Sequence, residues 1–184
     1  MSSGKASLRK EINEKLSNNS KSEFAKKSKI IIKKLFFRPE FINSKTTLFY
    51  VSFGSEVQTH EAIKKALALG KRVAVPITDP ETFEIELAEI DSFEELEEKE
   101  HAIMEPKEIK SIEPEEIDLV VVPGIAFDLE KNRLGRGKGC YDWLLKQLKC
   151  ASIALAFESQ IVEKVPVNEN DERVGKIVTE KRII

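Results

Sequence analysis

Five short runs of apolar and β-branched residues alternate with helical patterns along most of this chain, and this order limits the folds open to it. The runs lie at residues 46–51, 72–76, 118–122, 152–157 and 177–179. Each has the length and composition of a buried strand. Alternating strands and helices favour a mostly parallel sheet with helices on both faces, in which ligands bind beyond the carboxyl ends of the strands. A length of 184 residues fits a single domain, residues 1–184.

Local signals place the helices between these strands. Apolar residues recur at every fourth position in residues 5–17, which predicts an amphipathic helix. Ser20 and Glu23 form a capping-box pattern that opens a second helix. Thr59 is expected to cap a third helix, and Gly70 is expected to end it.

Other parts of the chain carry weaker signals. The apolar residues of segment 83–88, among them Phe83, suggest a further strand that is more exposed than the others. Residues 91–118 are acidic and poorly patterned, which favours a short helix and loops. A further helix is predicted around residue 145, and its residue Trp143 is expected to pack in the core.

The charge balance argues against a nucleic-acid partner. The formal net charge is −2, whereas a general nucleic-acid binder is usually strongly basic. Residues 1–39 carry eleven Lys or Arg and three Asp or Glu, whereas residues 80–118 carry sixteen acidic residues and three lysines. These charges either form solvated faces or include a few N-terminal cations that reach an anionic ligand.

Cysteine content and hydropathy bear on the compartment. Two cysteines, Cys140 and Cys150, are too few for a disulfide framework. The first ten residues lack the apolar core of a signal peptide. No apolar run approaches the ~18 residues that a membrane span needs. We therefore expect a reduced, soluble, cytoplasmic monomer with no membrane partner.

Residues 133–142 combine glycines with cations in the order Arg-Leu-Gly-Arg-Gly-Lys-Gly-Cys-Tyr-Asp. Glycine lets backbone N–H groups approach an oxyanion, arginine offers a planar fork to phosphate oxygens, and lysine offers a point charge. The N-terminal end of the helix expected next adds attraction for an anion. Asp142, in its first turn, is placed to hold Mg²⁺ between phosphates. The segment predicts a nucleotide-phosphate loop and an ATP-using enzyme.

Residue types alone leave alternatives open. The G-x-G-x-G spacing is neither a Walker A loop nor a dinucleotide fingerprint, and such a cluster can equally be a mobile turn. Lys5 and Arg9 lie four residues apart and can simply form a solvated helix face. Glu56 suits an exposed turn, and Asp171 suits the turn chemistry of Asn-Glu-Asn-Asp.

Several segments together resemble the 5-formyltetrahydrofolate cyclo-ligases, also called 5,10-methenyltetrahydrofolate synthetases. The similarity extends over nearly the whole chain. It is carried by Lys5 with Arg9, by Ser52, Glu56 and Thr59, by Pro123-Gly-Ile-Ala-Phe-Asp128, by the loop Arg133 to Asp142, and by Gln160 with Val165 to Asp171.

The resemblance implies a single-domain, three-layer α/β/α fold with a Rossmann-like, mostly parallel sheet. It also implies binding of Mg-ATP and 5-formyltetrahydrofolate as small-molecule partners. In that reaction the formyl oxygen attacks the γ-phosphate of ATP and gives an imino-phosphate. N10 of the folate then closes on the activated carbon, phosphate leaves, and 5,10-methenyltetrahydrofolate results.

The resemblance further assigns residues to roles. Arg136 and Lys138 would steady the migrating phosphoryl group, and Asp142 and Asp171 would hold Mg²⁺. The implied ATP contacts are Lys5, Arg9, Arg133, Leu134, Gly135, Arg136, Gly137, Lys138, Gly139, Cys140 and Tyr141. The implied folate contacts are Val51, Glu56, Arg136, Gly137, Lys138, Gly139 and Cys140.

Three positions depart from the family pattern. Cys140 stands where the family usually has Tyr, so a stacking or hydroxyl contact is lost. His101 and Ala102 replace the Tyr-Gly of a segment usually written Tyr-Gly-Ile-x-Glu-Pro. The substitution at Cys140 keeps open a non-catalytic nucleotide- or anion-binding regulator on the same fold. The predicted phosphate loop, taken alone, also allows a sugar-phosphate enzyme on a related fold.

Overall fold

The computed structural model describes residues 2–79, 82, 85–99 and 104–184. Its helices are α1 (Ser2–Ser17), α2 (Lys21–Phe36), α3 (Pro39–Asn43), α4 (His60–Ala68) and α5 (Cys140–Gln147). Its strands are β1 (Thr46–Leu48), β2 (Arg72–Thr78), β3 (Ile85–Ile90), β4 (Leu96–Glu98), β5 (Met104–Pro106), β6 (Leu119–Val122), β7 (Ala126–Phe127), β8 (Arg133–Leu134), β9 (Ala151–Leu155) and β10 (Lys176–Val178). Short 3-10 helices lie at Phe93–Glu95, Pro114–Glu116 and Glu158–Gln160.

Six strands form the central sheet in the order β10-β9-β6-β1-β2-β3. Every neighbouring pair is parallel except β2 with β3, which is antiparallel. The expected mostly parallel sheet is therefore confirmed, with one antiparallel edge strand. Two small antiparallel pairs, β4 with β5 and β7 with β8, lie outside it.

Both faces of the sheet are buried, because alternate residues of a strand point to opposite sides. Val121 packs into one apolar cluster together with residues of α1, α2 and α4. Its neighbours Val120 and Val122 pack into a second cluster together with Leu144 and Leu148 of the α5 region. The sheet thus lies between two helical layers, as expected for a three-layer α/β/α domain.

Several local signals have the predicted effect. Ser20 accepts from the backbone N–H of Glu23 at 3.2 Å, and the Glu23 carboxylate accepts from the Ser20 N–H at 2.9 Å. This reciprocal pair begins α2 as a capping box. Gly70 has φ +76° and follows the end of α4, which is a conformation that glycine adopts at little cost. Among the described residues, no helix is both long enough and apolar enough to span a membrane.

Thr59 precedes α4 but does not cap it through its side chain. Its hydroxyl instead donates to the Tyr50 carbonyl at 2.7 Å and accepts from the Ser52 N–H at 3.0 Å. The Ser52 hydroxyl accepts in return from the Thr59 N–H at 2.9 Å. Thr59 is thus the N-cap residue of α4 as predicted, but its side chain does not cap the helix, because the hydroxyl is bonded to the buried loop after β1.

Other expectations also need correction. The side chain of Trp143 is 48% exposed, so it does not pack in the core as expected. β3 is an edge strand and carries the exposed Glu86, so it is more exposed than β1 and β6 as expected, but its apolar residues Leu87 and Ile90 are buried. The acidic region contains an antiparallel pair of strands, β4 with β5, and not only a short helix and loops. Phe83 and the segment 101–103 lie outside the described residues.

We expect Thr59→Val to destabilise the protein by about 1–3 kcal/mol, because the Ser52 N–H would lose its partner in a buried site. Valine keeps the shape of threonine, so packing is nearly unchanged. The measurement is urea unfolding followed by circular dichroism. Ser17→Ala removes an exposed hydroxyl and is the control, with an expected change within about 0.5 kcal/mol. Equal stabilities for the two variants would contradict the structural role of Thr59.

Candidate active site

A cavity of about 420 Å³ lies where the strand order reverses, at the carboxyl ends of β1 and β6. From β1 the chain continues to β2 on one side, whereas β6 leads to β9 and β10 on the other. Loops that leave two such strands diverge and open a crevice. The lining includes Tyr50, Val51, Phe53, Ser55 and Glu56 after β1, and Pro123, Gly124 and Ile125 after β6.

The glycine-rich loop forms another wall of the cavity. Gly137 has φ +109° and Gly139 has φ +76°, and Gly139 directly precedes α5. A side chain at either position would be strained, and a Cβ at Gly137 would also lie 3.3 Å from the Arg9 guanidinium. The predicted order of strand, glycine loop and helix is confirmed. Backbone groups and the N-terminal end of α5 therefore border the cavity.

Arg133 and Asp142 form a buried ion pair beneath this loop. The guanidinium donates from Nη2 to Oδ1 of Asp142 at 2.9 Å, and the Arg133 side chain is only 3% exposed. Asp142 also accepts from the backbone N–H of Glu172 at 3.1 Å. Arg133 lies in β8, just before the loop, and Asp142 lies in the first turn of α5, just after it. The pair therefore fixes both ends of the loop.

Helix α1 brings two of the expected cations to the same place. The Lys5 ammonium contacts Oδ2 of Asp171 at 2.5 Å, and Nε of Arg9 donates to the carbonyl of Gly135 at 2.8 Å. One turn further on, Asn13 lines the cavity. The face that carries Lys5 and Arg9 thus packs on the glycine loop and on the segment of Asp171, so it is not a purely solvated face.

Glu56 and Arg136 connect the two sides of the cavity. Nη2 of Arg136 donates to Oε1 of Glu56 at 3.0 Å, and the guanidinium lies 4.2 Å from the centre of the Phe53 ring. The Glu56 side chain is 11% exposed. Burial raises the pKa of Glu56 above its ordinary value of 4.5, while the charge and hydrogen bond of Arg136 act in the opposite direction. Glu56 is therefore not the exposed turn residue that its loop position also allowed.

Two tyrosines contribute hydroxyl groups below the loops. Tyr50 donates its hydroxyl hydrogen to the Val57 carbonyl at 2.8 Å. The hydroxyl of Tyr141 is buried and has no hydrogen-bond partner among the described residues. Burial and the nearby Glu56 carboxylate raise the pKa of both tyrosines, so both are neutral donors at physiological pH.

The other residues expected to contact a ligand differ in how deeply they are buried. Val51, Lys138 and Cys140 line the cavity. Leu134 is buried and can offer a ligand only its backbone. Burial raises the pKa of the Cys140 thiol, which argues against a reactive thiolate there.

The two carboxylates expected to hold a metal are on neighbouring segments. The backbone N–H of Glu172, the residue after Asp171, donates to the Asp142 carboxylate. Each carboxylate already faces a cation, Lys5 or Arg133. Among the described residues, no group of three or more His, Cys, Asp or Glu side chains could hold a metal ion. Two carboxylates beside a cationic glycine loop would suit Mg²⁺, which is bound by one or two carboxylates and takes further oxygens from phosphates and water.

The sequence did not single out several residues that line the cavity. Asn13 continues the row of Lys5 and Arg9 at the same four-residue spacing, and this signal was available. Phe53 gives no such signal, because its position over Arg136 depends on a contact between segments about 80 residues apart. Gln160 is included in the family resemblance but without a role. It donates to the carbonyls of Gly124 and Ile125 at 2.8 and 3.1 Å and thereby fixes the loop after β6.

Comparison with known proteins gives a consistent result. Residues 1–180 match the model of the 5-formyltetrahydrofolate cyclo-ligase family. A 5-formyltetrahydrofolate cyclo-ligase of Mus musculus is 31% identical over 98% of this chain and 95% of its own length. One from Escherichia coli is 30% identical over 79% of this chain and 83% of its own.

Solved structures agree with these relatives. The NMR structure of the 5,10-methenyltetrahydrofolate synthetase from Aquifex aeolicus has a TM-score of 0.87 and 36% identity, and the match covers 97% of this chain and 91% of that one. A synthetase structure from Mycoplasma pneumoniae, at 24% identity and a TM-score of 0.78, shares the fold over 96% of this chain and 98% of its own. The chain is an enzyme, and it belongs to the 5-formyltetrahydrofolate cyclo-ligase family.

Proposed function

We propose that this enzyme converts 5-formyltetrahydrofolate to 5,10-methenyltetrahydrofolate with ATP and Mg²⁺, through a phosphorylated formyl group, and releases ADP and phosphate. The observation that carries the proposal is the Arg136–Glu56 pair. It connects a cationic glycine loop with the loop expected to hold the folate, across one cavity. A phosphoryl donor and a folate acceptor bound on these two loops would meet beside Arg136.

The nucleotide phosphates would lie along the glycine loop. Arg9 is already in contact with that loop, Lys5 lies beside Asp171, and the N-terminal end of α5 points at the same region. Lys138 and Arg136 would face the transferred phosphoryl group. In phosphoryl transfer the protein supplies mainly position and charge neutralisation, and these groups provide both.

The Mg²⁺ would be held by Asp142 and Asp171, whose segments are joined by the Glu172 N–H. Bound there, the ion would neutralise phosphate charge. Arg133 orients the Asp142 carboxylate through their ion pair. Lys5 does the same for Asp171, so both carboxylates are fixed before a ligand binds.

The folate would occupy the wall formed by the loop after β1. Val51 would pack against the pterin ring, and the Glu56 carboxylate would accept from its N–H groups. The formyl oxygen then bonds to the γ-phosphorus as the bond from that phosphorus to ADP breaks. N10 next bonds to the activated carbon, loses its proton, and phosphate leaves with the former formyl oxygen.

The direct test mixes the protein with Mg-ATP and 5-formyltetrahydrofolate and follows the near-ultraviolet absorbance of the methenyl product. We expect product formation that requires ATP and stops when a chelator removes Mg²⁺. Folded protein that forms no product would refute the proposal. ATP binding without turnover would favour the regulator hypothesis, and activity without ATP would favour the sugar-phosphate enzyme.

Arg136→Ala should lower kcat about 10²–10³-fold, because it removes a cation from the developing phosphoryl charge. Stability should fall by only about 1–2 kcal/mol, because the part-buried Glu56 carboxylate loses its cation but the arginine itself is half exposed on a loop. Arg182→Ala is a matched control, because Arg182 is similarly exposed and pairs with the part-buried Glu158 at 2.8 Å, outside the cavity. A collapsed melting curve for Arg136→Ala alone would show that Arg136 is structural.

The raised pKa of Glu56 predicts how pH affects stability. A raised carboxyl pKa means that the folded state binds the proton more readily, so this group's contribution to unfolding free energy falls as pH rises from below 4.5 through the folded pKa. Glu56→Gln lacks this contribution and should gain stability relative to the natural protein across that window. Urea unfolding at a series of pH values measures the difference. A relative loss with rising pH would mean that attraction to Arg136 outweighs burial.

A further inference from the structure

Phe53, Glu56 and Arg136 form a three-residue contact that the roles above do not explain. The Phe53 ring lies under the Arg136 guanidinium, and the Phe53 N–H donates to Oε2 of Glu56 at 3.1 Å. Oε1 of the same carboxylate accepts from Arg136. The loop after β1 therefore holds the arginine of the phosphate loop by charge on one side and by an aromatic face on the other.

This contact sets an energetic condition on Arg136. A carboxylate as buried as that of Glu56 is costly without a donor or a cation beside it. Arg136 therefore cannot turn to a phosphate unless other donors take its place at Glu56. A nucleotide alone brings phosphates and no such donors to the loop after β1.

We propose that Glu56 and Phe53 restrain Arg136 in the free enzyme, and that a bound folate releases it to the nucleotide by supplying the donors that Glu56 needs. The pterin ring presents an amino group and a ring N–H side by side, which match the two oxygens of a carboxylate. Once these donate to Glu56, the Arg136 charge is available to the phosphates. Phe53 is then a positioning residue that contacts Arg136 and not the reacting atoms.

The consequence is positive coupling between the two substrates, and it rests on the proposed function. Each substrate should increase the affinity of the other by the same factor, because coupling free energy is reciprocal. A site with a preformed, unrestrained arginine would bind the two substrates independently. The factor by which one substrate increases the affinity of the other therefore measures how strongly Arg136 is restrained.

The test uses isothermal titration of the Mg²⁺ complex of a β,γ-imido analogue of ATP, with and without saturating 5-formyltetrahydrofolate. The analogue cannot transfer its phosphoryl group, so both ligands persist. We expect the folate to tighten analogue binding about fivefold or more, and the analogue to tighten folate binding equally. If both ligands bind but neither changes the affinity of the other, or each weakens the other, the inference is overturned. Failure of either ligand to bind would instead overturn the proposed function.

Three variants assign the coupling to this contact. In Glu56→Gln the neutral amide cannot restrain Arg136 by charge, so analogue affinity without folate should rise and the coupling factor should fall toward one. Phe53→Leu keeps the carboxylate for the folate and removes the ring, so its factor should be smaller than that of the natural protein. Glu158→Gln alters the matched pair with Arg182 and should leave the factor unchanged. Undiminished coupling in Glu56→Gln and Phe53→Leu would overturn the role of these residues.

Discussion

The buried Arg133–Asp142 pair is the interaction on which the site depends. A guanidinium that is almost fully buried must keep its carboxylate, because an unpaired buried charge costs several kcal/mol. Arg133 belongs to β8 and Asp142 to α5, so this requirement fixes the separation between the strand and the helix. The residues between them can only form a loop that returns over the pair, and glycines at 137 and 139 allow its left-handed backbone. The pair thus shapes the glycine loop through contacts beneath it, and the Arg133 side chain itself is buried.

The topology of the sheet explains why the glycine loop faces the loop after β1 across the cavity. β1 and β6 are parallel neighbours, and their continuations leave in opposite directions. The loop after β1 carries Glu56, and the loop after β6 leads through β7 and β8 to the glycine segment. Thr59 and Gln160 then bind these loops through buried hydrogen bonds to backbone groups, so both walls of the cavity are fixed by the same core that stabilises the sheet.

How well the sequence predicts this arrangement depends on how far apart in the chain the interacting residues lie. The Ser20–Glu23 capping box and the Gly70 helix end involve near neighbours, and both form as predicted. Thr59 has the same local pattern but bonds to the loop after β1, because tertiary contacts override a local preference. Trp143 does not pack in the core as its apolar character predicts, because the face of α5 that carries it is partly open to solvent. A folate substrate is implied only by the resemblance along the chain. The spacing of glycines and cations indicates an anion-binding loop but not which ligand binds there.

The electrostatic balance of the resting site is the property that no local pattern indicates. Three of the cations expected to bind ATP or phosphate are each paired with a carboxylate: Lys5 with Asp171, Arg133 with Asp142, and Arg136 with Glu56. These pairs are nearly neutral, so a nucleotide does not enter a preformed cluster of unpaired positive charge at these positions. Phosphates that bind here compete with carboxylates, and they gain when those carboxylates find other partners. Mg²⁺ would be such a partner for Asp142 and Asp171, and a folate would be one for Glu56. A requirement for metal and folate together would therefore follow from how the chain pairs its own charges.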